Sequence, residues 1–84
     1  MIDNYSNKKL IPLDYVQVNR KAKIVSINGG YGIRQRLYEM GLTPGTEVVI
    51  ISNTGRGPLL ISTRGITLAI GRGVARKILV EVNY

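Results

Sequence analysis

The sequence predicts a small, mainly β barrel carrying one short helix. Five short runs rich in β-branched residues are separated by Gly, Pro and Asn turn formers. Only one stretch shows a helical period. The chain has 84 residues, the size of one small domain, and an open sheet of that size would leave two edges exposed, which barrel closure relieves.

Met1–Lys9 is polar and without period, and is assigned as a flexible tail ahead of a barrel domain over residues 10–84. Leu10–Val18 is apolar but interrupted by Pro12. It reads as an irregular turn leading into a strand, with Leu13 and Val16 as its buried pair. In Arg20–Ile27, Ala22 and Ile24 point one way while Lys21, Lys23 and Val25 point the other, the alternation of a half-buried strand. Asn28-Gly29-Gly30, tolerant of positive φ, ends it. The helix follows at Gly32–Met40, because Ile33, Leu37 and Met40 recur at i, i+4 and i+7. Gly41 supplies a left-handed C-terminal stop, and Leu42 folds back onto Leu37 as in a Schellman motif. Pro44-Gly45 fits the centre of a type II turn. Glu47–Ser52, Leu59–Thr63, Ile66–Ile70 and Ile78–Val82 are the remaining strands. Between them lie the loop Asn53–Pro58, the tight turn Arg64-Gly65 and one helical turn at Val74–Lys77. A short helix after the first strand, then a meander, a helical turn and a last strand, is the order of an SH3-like barrel. The competing OB-fold more often places its helix between the third and fourth strands.

Composition removes whole classes of function. The chain has no cysteine and no histidine, so disulfides and the usual thiolate or imidazole zinc sites are excluded. Without nitrogen or sulfur ligands no tight iron site, and no cofactor, is expected. The acids Asp3, Asp14, Glu39, Glu47 and Glu81 sit in separate elements, which argues against acid–base catalysis and hence against an enzyme. Gly30-Tyr31-Gly32 opens the helix but lacks a third glycine at Gln35 and the Lys-Ser/Thr of a phosphate loop, so it reads as a plain turn. No apolar run approaches the roughly 20 residues that span a bilayer, and none follows the first basic residues as in a signal peptide. The expected location is cytoplasmic.

Lys and Arg outnumber Asp and Glu by 12 to 5, a net charge of +7 that favours anionic partners. The charges are spread along the chain rather than clustered. Arg56 and Arg72, each between glycines, suit nucleic acid. However, the chain lacks Phe and Trp for a stacking platform or for gripping a polyproline helix. A protein-binding module remains, with Arg34, Tyr38, Leu42, Arg56 and Arg72 as candidate contacts.

The run Arg36-Leu37-Tyr38-Glu39-Met40-Gly41-Leu42-Thr43-Pro44-Gly45-Thr46 resembles the "RLxEMGLxPGxxV" signature of the ferrous iron transport protein A (FeoA) family. Leu37, Met40, Gly41, Leu42, Pro44 and Gly45 form its structural core. Gly57-Pro58, Arg64-Gly65 before Leu68-Ala69, and Ala75, Ile78 and Val80 match further family patterns, so the resemblance spans Pro12–Val82. It implies an SH3-like accessory of ferrous iron uptake that modulates or assembles a GTP-hydrolysing membrane transporter of the FeoB type. The chain would reach the membrane only through that partner. The alternative is a small basic barrel that binds nucleic acid or acts as a metal-linked regulatory domain, because the family is similar to the terminal SH3-like domain of iron-dependent repressors. Two departures stand out. Val18-Asn19 replaces the family's Pro-Gly turn, and Gly71-Arg72-Gly73-Val74 replaces an acidic helical turn.

Overall fold

A computed structural model describes residues 8–83. Strands β1 (Lys8–Pro12), β2 (Lys21–Ile27), β3 (Glu47–Ser52), β4 (Leu59–Thr63), β5 (Ile66–Ile70) and β6 (Ile78–Asn83) alternate with helices α1 (Tyr31–Glu39) and α2 (Arg72–Ala75). They form one antiparallel sheet in the order β1-β6-β2-β3-β4-β5. The first strand corrects the sequence reading. Lys8 and Lys9, assigned to the tail, begin β1, which pairs with β6 from Lys8↔Asn83 to Pro12↔Leu79. An edge strand with two lysines and an outward Leu10 carries no clear alternation to read. The rest of the tail, residues 1–7, lies outside the described residues.

Inward residues of the strands meet in a single apolar core with Leu13 and Val16, which bracket a 3-10 turn at Leu13–Tyr15. Two bulges bend the sheet around that core. Val25 is an extra residue in β2 opposite β6, and Ile51 an extra residue in β3 opposite β4. Both side chains lie on the outward face of their strands and are exposed. Closure is therefore one of packing, since β1 and β5 stay as the two edges of the hydrogen-bond ladder. Asn19 adopts φ 70°, supplying the left-handed turn that a glycine would give. Gly29 and Gly30, by contrast, do not use positive φ, so the strand ends there without it.

The chain between α1 and β3 follows the sequence logic closely. Gly41 has φ 88°. Its N–H donates to the Tyr38 carbonyl at 2.9 Å, and the Leu42 N–H donates to the Leu37 carbonyl at 2.9 Å. That pair of bonds is a Schellman stop, and Leu37 and Leu42 are both buried in the core beside it. Thr43–Thr46 is the type II turn, closed by a 3.0 Å bond from Thr46 N–H to the Thr43 carbonyl, with Gly45 at φ 95°. Thr46 joins the two devices. It is 5% exposed, and its Oγ1 donates to the Gly41 carbonyl at 3.3 Å and contacts Thr43 Oγ1 at 3.1 Å. The turn is then fixed to β2, because Gly45 N–H donates to the Ile24 carbonyl and Ile24 N–H to the Thr46 carbonyl.

Replacing Gly41 by valine should cost roughly 1 kcal/mol or more, because a β-branched residue resists positive φ. The cost is conformational rather than steric: an added Cβ would meet only Arg64 Nη1, at 3.7 Å. Gly41→Asn should therefore lose less in urea unfolding than Gly41→Val. Thr46→Val preserves shape but strands the Gly41 carbonyl, and should lower stability by about 1–2 kcal/mol in the same assay.

Candidate functional site

Helix α1 has two faces. Leu37 is buried, and Ile33 and Met40 pack beside it on the core. Tyr31, Arg34 and Tyr38, at i, i+3 and i+7, share the opposite side. Tyr31 is 74% exposed and Tyr38 39%. The Arg34 guanidinium turns back to the helix start, where Nη1 donates to the Gly29 carbonyl at 3.0 Å. Gln35 Nε2 donates to Glu39 Oε2 at 3.3 Å and spans the same surface. Two rigid aromatic rings flanking an arginine are the side chains that dominate protein–protein contacts, since they offer large area and lose little rotamer entropy.

The structure separates the remaining candidates. Leu42 is 0% exposed, so it cannot touch a partner, and its place in the candidate set is corrected. Its packing beside Leu37 accounts for it fully. Arg72 is half-buried and already engaged. Its Nη2 donates to Asn53 Oδ1 at 2.7 Å and its Nε to the Gly57 carbonyl at 3.3 Å. Asn53 in turn donates through Nδ2 to the Asp14 and Val16 carbonyls, both at 3.0 Å. Arg72 and Asn53 thus clasp α2, the β3–β4 loop and the 3-10 turn together. Arg56 stays exposed at the tip of that loop, whose turn is held by Thr54 Oγ1 donating to the Arg56 carbonyl at 2.9 Å. The nucleic-acid reading, which needed two free arginine tips, keeps one.

Tyr31 is the surface residue that sequence reasoning missed. It stands between two glycines in the sequence, and only its i, i+3, i+7 spacing to Arg34 and Tyr38 signals the shared face. Arg34 and Tyr38 are brought together with it, whereas Arg56 lies on a loop of the sheet.

Other polar groups serve the fold. Asp14 is nearly buried, with Oδ2 3.6 Å from Arg76 Nε, while its Oδ1 meets no donor among the described residues. Lys23 stands in register with Glu47 on β3 and Glu81 on β6. That row lines a hollow of about 400 Å³ with Lys8 and Arg20. Carboxylates separated by a lysine are a charge-balanced surface rather than an acid–base pair. Among the described residues no three His, Cys, Asp or Glu side chains converge as a metal site. No helix there is long and apolar enough to cross a membrane.

Comparison with known proteins places this geometry. The family model described as the FeoA domain matches residues 11–82. A protein of Methanocaldococcus jannaschii named "Putative Fe(2+) transport protein A" is 40% identical over 72 residues, covering 86% of this chain and 87% of that one. The crystal structure of an iron uptake regulatory protein (FeoA) superposes with TM-score 0.81 at 38% identity, over 86% of this chain and 96% of the other. A zinc complex of the Stenotrophomonas maltophilia FeoA, described as a prokaryotic SH3 domain protein, matches with TM-score 0.72 at 22% identity. It covers 84% of this chain and 94% of its own and shows the shared SH3-like fold.

Removing the Asn53 side chain should loosen three elements at once. Asn53→Ala is expected to cost about 1–3 kcal/mol in chemical unfolding, because two carbonyls and the Arg72 guanidinium lose their partner.

Proposed function

The chain belongs to the FeoA family, and from that premise we propose that it is a non-enzymatic cytoplasmic accessory of ferrous iron uptake. It binds the cytosolic portion of a GTP-hydrolysing, FeoB-type membrane transporter through the exposed face of α1. The observation that carries this reading is the Tyr31–Arg34–Tyr38 face, an arginine between two exposed aromatics on a helix whose other side is anchored in the core. A helix fixed in this way presents its side chains already ordered, so less entropy is lost on binding.

The chemistry of the chain supports a binding role over a catalytic one. Neither imidazole nor thiolate is available, and the carboxylates are dispersed or set beside cations. Iron is then the cargo of the partner rather than a ligand held here. The net charge of +7 speeds encounter with an acidic partner surface.

Titration of the isotopically labelled protein with the transporter's cytosolic GTPase portion tests this. Amide shifts should centre on Tyr31–Glu39, and Tyr38→Ala or Arg34→Glu should weaken binding by about tenfold or more, roughly 1.4 kcal/mol, with the melting temperature unchanged. Absent shifts, or shifts confined to the Asn53–Pro58 loop, would refute the helix face as the contact.

A further inference from the structure

The ladder ends in two strands of opposite character. β1 is guarded by Lys8 and Lys9 at its start and by Pro12, which has no N–H, at its end. These are devices that discourage an edge strand from pairing with other chains. β5 has none of them. Ile66-Thr67-Leu68-Ala69-Ile70 carries no charge and no proline, and among the described residues β4 is its only neighbour in the sheet.

The backbone of that edge is also oriented for pairing. Arg64 at φ 52° and Gly65 at φ 81° make a two-residue turn, so Thr63 and Ile66 beside it form a bonded pair. Bonded pairs recur at Ile61↔Leu68 and Leu59↔Ile70. Thr67 and Ala69, between them, therefore direct N–H and C=O away from β4. Both residues are exposed, and no bond from another described element reaches them.

We infer that β5 is a docking strand that accepts an extended segment of another protein as a further strand of the sheet. Thr67 and Ala69 supply the main-chain bonds, while Leu68, half-buried, and Ile66, 51% exposed, flank alternate apolar side chains of the incoming segment. Charge selects the occupant. Exposed Arg64 stands at one end of the hairpin and exposed Arg56, in the loop clasped by Arg72, at the other. None of the chain's five acids lies on β4, on β5 or in the turns at their ends. The segment that fits is uncharged in its middle and acidic at its ends. A second copy of this chain fits poorly. Its own β4–β5 hairpin and flanking turns hold no acid, so it brings no carboxylate to Arg64 or Arg56. This surface is additional to the α1 face and holds whichever protein provides the segment.

The probe is a synthetic alternating valine–threonine peptide capped by glutamates, beside its lysine-capped counterpart, added to the full-length protein. The glutamate-capped peptide should shift the amides of Thr67 and Ala69 and slow their deuterium exchange by about tenfold or more, leaving α1 amides in place. Ala69→Pro removes one outward N–H without touching a β4 bond and should abolish the effect. Arg56→Glu, a loop-tip change that leaves the strand intact, should weaken it severalfold and favour the lysine-capped peptide. Unchanged exchange at Thr67 and Ala69, equal response to both peptides, shifts centred on α1, or protection that rises with protein concentration alone would each overturn the inference.

Discussion

The structure depends on how α1 ends. With nine residues, the helix is shorter than the roughly 12–15 needed for marginal stability alone. Its start offers little help, since Gly30 provides no side-chain cap and no acid lies in the first turn. Order must come from the other end. There the left-handed Gly41 lets Leu42 return beneath the helix, and Thr46 ties the Gly41 carbonyl to the following turn. Ile24 then holds that turn from both its N–H and its C=O. One compact junction thus sets the angle of the helix, the start of β3 and the register of β2 against β3.

Much of that junction was legible because its causes are local. Gly41, Pro44 and Gly45 are chosen by backbone conformation, and Leu37 and Leu42 by a contact between near neighbours. What stayed hidden depends on distant chain. β1 is a strand because β6 lies beside it, and its own residues alternate too weakly to say so. The bulges at Val25 and Ile51 disturb an alternation that looks continuous in the sequence. Arg72 looked like a free tip between glycines until Asn53 and Gly57 came within reach of it, and nothing in local spacing brings them together. Leu42, read both as a packing residue and as a contact, is only the former.

The motif that identifies the FeoA family is accordingly a folding device, and residues interleaved with it are left on the surface. Tyr38 lies inside the signature yet faces outward; Tyr31 and Arg34 precede it. Burying Leu37 and Leu42 is what presents these side chains on a rigid face. The sheet shows the same division of labour at its edges, with β1 guarded against pairing and β5 left open between arginines. The molecule thus offers two surfaces of different chemistry, one of side chains and one of main chain.

Native-state hydrogen exchange tests most directly whether the junction governs the fold. The Gly41 and Leu42 amides, bonded to the Tyr38 and Leu37 carbonyls, should exchange only through global unfolding, with the same opening free energy as the central amides of β6. Exchange of these two amides through local fraying, at an opening free energy near zero while β6 stays protected, would contradict it.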